Sequence, residues 1–406
     1  MKKRFFQFGM ALLAVASTAV FTACSDDDET VPSYNLTVSN QLPEGYQAGD
    51  IQNVKLILGS ATSADTISMT ALKDTTLVLR QGDYKVTVQG KIAGEATGNV
   101  IGTANVSLYA DVKADVRLAK VNQSTLIIKT IHNSGSKQYY MKESYLEIVN
   151  NSDEVQYLDG VIISAPAGNQ VVENAWQAEG ITDKYPSGQG AVVAFPGNGT
   201  DYPLLPGQSV LVANNATNHK QAYDAEYDDE EEIATYAVCP DLSKADWEIY
   251  LDYTPNDVDY DAPNLDVIFT NNKYMFAFGL GVMGRSYLLA KLPAGMNPAE
   301  FGADETNLST EPNFPVAMQY LMIPSKYVLD AVDVYNPEAE NHVCTFLPCD
   351  DATGVKGNPA YSGLCLQRKI AKTENGRVYY QDTNSSADDF VAGQPLTPGV
   401  PYAPQN

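Results

Sequence analysis

With 406 residues, 44% of them hydrophobic, the chain is long enough for two or three packed domains and too apolar for general disorder. Its net charge of −24 excludes nucleic acid as a partner, because a phosphate backbone would be repelled rather than gripped. Lys2, Lys3 and Arg4 come first, and an uncharged apolar run follows from Phe8 to Ala23. That run is shorter than the roughly 20 residues a spanning helix needs, so residues 1–23 read as an export signal. No later stretch is long and apolar enough to span a bilayer.

The run ends Phe21-Thr22-Ala23-Cys24, which resembles the bacterial lipobox, with Phe21 where that motif usually has Leu. The resemblance implies that Cys24 becomes the lipidated first residue of the mature chain. Ser25, Asp26, Asp27, Asp28 and Glu29 then resemble the surface-export signal of Bacteroides-type lipoproteins. Like charges repel and extend a chain, so residues 24–33 also read as a solvated acidic tether, and a plain spacer is the alternative. Each buried acyl CH₂ is worth about 0.8 kcal/mol, so several chains anchor a protein without a transmembrane helix. The implied location is the outer membrane, lipid-anchored and facing the cell exterior.

Residues 34–120 read as short strands broken by turns. Thr76 to Arg80 is one strand and Gln81-Gly82-Asp83 a turn. Beyond it, Tyr84, Val86 and Val88 point one way while Lys85, Thr87 and Gln89 point the other. Short strands at this spacing predict a β-sandwich. The Leu-x-x-Gly-x-Tyr-x-Val-x-Val stretch from Leu79 to Val88 resembles the prealbumin-like carboxypeptidase regulatory domain, which implies a spacer or binding module.

Residues 124–406 carry a longer series of landmarks. Tyr145-x-Glu147-x-x-Asn150 is followed by Leu158-Asp159-Gly160, Leu205-Pro206-Gly207, Asp330-Ala331-Val332 and Leu364 to Arg368. Asp382-Thr383-Asn384, leading to Asp389-Phe390, and Thr397-Pro398-Gly399 complete the series. In this order they resemble the bacterial lamin-tail domain, and the whole chain resembles an uncharacterised family of Bacteroides-type lipoproteins with this layout. The resemblance implies an immunoglobulin-like sandwich. The fold class expected is therefore all-β: two β-sandwich domains, prealbumin-like and then lamin-tail-like, the second interrupted by an acidic insertion at about residues 214–315. Glu147 sits among apolar neighbours. It reads either as a buried carboxylate, with Arg368 as its partner, or as a solvent-facing residue on an alternating strand.

The insertion is the most polarised part of the chain. Acidic residues crowd between Tyr223 and Asp266 against the single Lys244. Hard cations need several oxygen ligands, and Asp257-Val258-Asp259-Tyr260-Asp261 copies the opening of an EF-hand loop. It then departs from that loop: Ala262 stands where Gly is required, and Ile268 occupies the twelfth position. Asp257, Asp259 and Asp261 are candidate calcium ligands, a docking face for a basic partner is a second reading, and a solvated acidic loop is the third. Interleaved Tyr227, Tyr253 and Tyr260 are candidate binding residues.

Catalytic signals are weak. His132, His219 and His342 lie in no metal or triad motif. Gly279 to Gly284 spells Gly-x-Gly-x-x-Gly, but strand-like flanks predict a turn rather than a dinucleotide site. So acidic a chain has carboxylates for glycoside hydrolysis, yet nothing singles out a pair. Among Cys239, Cys344, Cys349 and Cys365, proximity favours a Cys344–Cys349 disulfide over the other pairings, with buried free thiols as the alternative. Thr66 and Thr75 sit in Asp-Thr motifs that resemble Bacteroides-type O-glycosylation sites.

The expectation is a non-catalytic lipid-anchored surface protein with no required cofactor. It would bind a ligand or dock on an outer-membrane transporter for a nutrient or metal complex; the transporter comes from the family resemblance alone. An adhesin binding extracellular polymer and a carboxylate-dependent hydrolase are the alternatives.

Overall fold

A computed structural model describes residues 31–60, 64–93, 98–122, 124–136, 142–168, 171–188, 190–226, 239–254, 257–275, 277–279, 281–314 and 318–399. The fold is all-β. In the N-terminal unit, Ser33–Gln41 pairs antiparallel with Thr75–Arg80 and parallel with Val112–Arg117. A five-stranded sheet packs across it, in the order Ala64–Ala71, Ile51–Gly59, Gly82–Ile92, Gly98–Leu108, Ala119–Asn122. Alternation drives this packing. Val86 and Val88 are buried together with Leu36, Val38, Leu56 and Val116, which makes one apolar core between the two sheets. A Cβ at Gly102 would collide with Arg117 O, so only Gly lets the strands cross there. Asn53, at φ +52°, occupies a bulge between Gln52 and Lys55.

The second unit has three layers. The front sheet runs Trp247–Glu248, Ser209–Ala213, Tyr145–Asn150, Leu126–His132, Leu364–Arg368, Phe390–Pro395. The central sheet runs Asp266–Phe269, Val192–Ala194, Val161–Ser164, Tyr287–Lys291, Val328–Val332. Behind it lie Lys184–Ser187, Gln319–Pro324 and Leu308–Thr310. Ile128, Ile148, Val212 and Leu366 of the front sheet meet Val161, Ile163, Val193 and Leu289 of the central one. The opposite face of the central sheet is equally apolar. There Ile162, Val192 and Leu288 pack on Tyr185, Leu321, Ile323 and Phe301. Burial on both faces explains why these strands read as unbroken apolar runs rather than alternating ones.

The stretch expected to be a decorated insertion, about residues 214–315, is instead part of both main sheets. Trp247–Glu248 extends the front sheet, and Asp266–Phe269 and Tyr287–Lys291 belong to the central one. Trp247, Ile249, Leu251, Leu265 and Phe278 are buried in the main core. Asp252, Asp259, Asp261 and Asp266 of this region are exposed, while Glu248 is buried. Among the described residues no helix is long and apolar enough to cross a membrane.

Candidate functional site

The polar landmarks of the second unit prove to be hydrogen-bond keystones. Arg368 is 1% exposed, and its guanidinium bonds both oxygens of Asp330 at 2.8 and 2.6 Å, Asp382 at 3.2 Å and the Ile128 carbonyl at 2.7 Å. Asp389 lies 3.6 Å away, and the guanidinium carbon sits 4.7 Å from the Phe390 ring centre. Asp330 also accepts the Ile128 amide at 2.7 Å, so this cluster ties the central sheet to the front one. Burial alone would lower the Arg368 pKa, but the three carboxylates outweigh it and raise it. Burial pushes Asp382 and Asp389 up to about 6 even beside that cation.

Glu147 is 1% exposed, so the buried reading holds, but its partner is not Arg368. It forms an ion pair with Lys129 and accepts Thr130 Oγ1 at 3.2 Å and the Gly399 amide at 2.7 Å. Antiparallel pairing sets Glu147 opposite Thr130, and a bulge after Glu147 brings Lys129 alongside. Arg368 is too heavily committed to Asp330, Asp382 and Asp389 to reach it.

A third buried cluster gathers around Asp333. Asp333 accepts Ser286 Oγ at 2.5 Å on one oxygen, and the Thr345 amide at 2.8 Å on the other, with His342 Nε2 3.0 Å from that second oxygen. Ser286, His342 and Asp333 are the residue types of a catalytic triad in the wrong order. The hydroxyl donates to the carboxylate, and the imidazole that should activate it faces the same carboxylate. Burial works to raise the Asp333 pKa, but these hydrogen bonds hold it below the usual range. Asp351, behind it, accepts the Asp333 amide at 2.8 Å and the Ser386 amide at 2.8 Å. Burial and the Asp333 charge hold the Asp351 pKa well above the usual range. The cluster closes backbone turns and leaves no activated nucleophile.

A cleft of about 460 Å³ opens beside Glu147. Its floor is Glu147, Ser209 and Leu211, and its rim carries Asp241, Lys244 and Asp246. Pro398 and Gly399, at the end of a strap that leaves the last front-sheet strand, form the remaining wall. Lys129 Nζ reaches Ser209 Oγ at 3.3 Å, and Asp246 Oδ2 accepts the Leu211 amide at 2.8 Å. Hydrogen bonds from the Ser243 hydroxyl and amide hold the Asp241 carboxyl below its ordinary pKa. The cleft is therefore polar, with both signs of charge on its walls and a size in the range of small-molecule sites.

The structure scatters the residues singled out from sequence. Asp257 is spent on its own chain: it accepts Asn215 Nδ2 at 2.8 Å and the Leu251 amide at 2.8 Å. Asp259 bonds Asn264 Nδ2 at 2.9 Å, and Asp261 is exposed. Among the described residues no three His, Cys, Asp or Glu side chains come together to hold a metal ion. Asp257→Ala is expected to lower stability by about 1–3 kcal/mol, since it leaves a buried amide unpaired, whereas millimolar calcium is expected to leave the wild-type urea midpoint unchanged. A calcium-dependent rise in that midpoint would restore the EF-hand-like reading. Tyr253 donates to the Gly190 carbonyl at 2.6 Å, and Tyr260 packs by Leu211 and Leu242, so both serve packing. Tyr227 and Cys24 lie outside the described residues. The expected Cys344–Cys349 pairing is not formed. All four described cysteines are free thiols; Cys344 Sγ donates to Asp351 O at 3.2 Å, and Cys349 Sγ lies 3.9 Å from Ser325 Oγ. Thr66 is exposed on an edge strand, and Thr75 is half-buried with its hydroxyl 3.3 Å from Lys73 O. Gly279 and Gly284, at φ +62° and +112°, lie in turns before the strand Tyr287–Lys291.

Residues 205–397 match the model of a family described as a protein of unknown function (DUF4876). The chain is also similar to a DUF4876 family protein of Bacteroides thetaiotaomicron VPI-5482, known from a crystal structure. The two share 25% identity and a TM-score of 0.58, over 89% of this chain and 96% of that one. The fimbrial anchor protein Mfa2 from Porphyromonas gingivalis matches at 12% identity over 45% of this chain and 78% of its own, and its TM-score of 0.18 carries no argument. Among curated proteins nothing matches. The expected likeness to an uncharacterised Bacteroides-type family is thus met at the level of the family.

Proposed function

We propose that the protein is a non-catalytic lipoprotein of the cell surface that binds a ligand through its second unit. In this reading the N-terminal unit is a prealbumin-like spacer and the second a lamin-tail-like binding module, which presents its cleft to an outer-membrane transporter or to the ligand directly. The observation that carries it is Phe21-Thr22-Ala23-Cys24 at the end of an apolar run, followed at once by Asp26 to Glu29. The clusters of Arg368 and Asp333 support a non-catalytic reading, since each is tied into the backbone rather than poised toward a substrate.

The test is metabolic labelling of cells with an alkyne fatty acid, combined with protease shaving of intact cells. The wild type is expected to carry label and to be removed by protease; Cys24→Ser is expected to lose the label and the membrane fraction. An unmodified thiol at Cys24 with the preceding peptide attached would overturn the proposal. Pull-down from solubilised outer membranes then separates a transporter partner from a free-standing binder.

A further inference from the structure

The strap from Leu396 to Gly399 lies over a row of buried polar side chains. Antiparallel pairing lines up Glu147, Thr130 and Gln367 across three strands, on the face that points away from the main core. Gln367 is 5% exposed; its Nε2 reaches Thr397 Oγ1 of the strap at 3.3 Å, and its Oε1 has no hydrogen-bond partner among the described residues. At the other end of the row, Glu147 Oε1 holds the strap through the Gly399 amide at 2.7 Å. The strap that walls the cleft thus also covers an unsatisfied acceptor two strands beyond Glu147, outside the cleft lining itself. Burying such an acceptor is costly unless a donor reaches it.

Resting on the binding reading above, we propose that the cleft and the row beneath the strap form one site for an uncharged polyhydroxyl ligand of saccharide size. The charges argue for neutrality. Glu147 is balanced by Lys129, and the rim sets Lys244 among Asp241 and Asp246, so neither an anion nor a cation meets a single-sign wall. The polar groups argue for hydroxyls. Carboxylates and the Gln367 carbonyl accept, while Lys244 and Ser209 donate, and a sugar hydroxyl does both at once. A volume of about 460 Å³ admits one or two sugar rings. His132, whose Nε2 also has no partner among the described residues, borders a separate void of about 10 Å³, room for one water molecule, and is no part of this site.

The experiment is a glycan array of neutral di- and trisaccharides, probed with the full mature lipoprotein in detergent, with calorimetry on any hit and with spermidine and free amino acids as charged comparators. A neutral saccharide is expected to bind. Ser209→Trp, at an exposed floor position, is expected to abolish that binding. Gln367→Leu is expected to weaken it about tenfold, the equivalent of roughly 1.4 kcal/mol, with both variants keeping the wild-type circular dichroism. Binding of spermidine or an amino acid without any saccharide would overturn the polyhydroxyl assignment and leave the surface-binder reading standing. No binding of any probe, saccharide binding indifferent to Ser209→Trp, or a crystal structure in saccharide with only ordered water at Gln367 Oε1 would overturn the site itself.

Discussion

Replacing Arg368 by Met is expected to destabilise the second unit by about 3–5 kcal/mol or more, the range for removing one partner of a buried ion pair. Met keeps much of the volume and the contact with Phe390, so the loss isolates the charge. Asp330, Asp382 and Asp389 would face one another in a dry interior with no cation among them. The Ile128 carbonyl, bonded by Arg368 Nε at 2.7 Å, would lose its donor as well. Two of those carboxylates already sit at about 6 with the guanidinium in place, so compensation is partial even in the native protein. Urea titration of purified protein measures the effect. The double variant Arg368→Met with Asp330→Asn is expected to recover part of the loss, because it removes one orphaned charge. A single variant as stable as wild type would mean that the three carboxylates take up protons at no cost to the fold.

The sequence marks these keystones by a simple signal: a charged residue inside an apolar run. Glu147, between Leu146 and Ile148, stands out in this way, and Arg368 follows Leu364-Cys365-Leu366 after the polar Gln367. What it does not supply is the pairing. Lys129 carries the same signal within Leu126 to Ile131, but only the antiparallel register and the bulge after Glu147 put the two together. Arg368 is the more conspicuous cation in the sequence, which is why it stands out as the partner until the register is known.

The apparent insertion at residues 214–315 has a related cause. Charge dominates that stretch, and its strands are short: Trp247–Glu248 has 2 residues and Asp266–Phe269 has 4, too few to display an alternation. Their apolar residues still build the core, because a sandwich needs one inward side chain per crossing rather than a long run. The cleft is illegible in the sequence for a further reason. Asp241, Lys244 and Asp246 look like any solvated charge run until the fold sets them against Ser209 and Gly399, one from an earlier strand and one from the far end of the chain.

Glu248 is expected to lower stability as pH rises from about 5 to about 8, against an opposing rise from His132 and His219, which burial holds at about 4. The Glu248 side chain is 0% exposed and, among the described residues, receives the Ala216 amide at 3.4 Å and the Tyr260 amide at 3.1 Å. Burial pushes it up to about 7, the nearby Asp257 and Asp259 add to the rise, and the two amides oppose it. A carboxyl raised in the native state keeps a proton that the unfolded chain has released. Its contribution is therefore complete below the ordinary glutamate range and is lost as pH climbs through about 7. Asp382 and Asp389, held up at about 6, act in the same direction. Asp333, held low by its hydrogen bonds, acts in the opposite sense, its contribution being lost only as pH falls below the usual aspartate range. Each pH unit that separates a group's native pKa from its unfolded one is worth roughly 1.4 kcal/mol, so the decline from Glu248 is expected to be about 2–3 kcal/mol. Urea midpoints at pH 5, 6, 7 and 8 measure it. Glu248→Gln carries no charge at any of these values, so between pH 5 and pH 8 its profile is expected to lack a decline of that amount relative to the wild type. Parallel profiles for the two proteins would move the effect to Asp382 and Asp389, around Arg368.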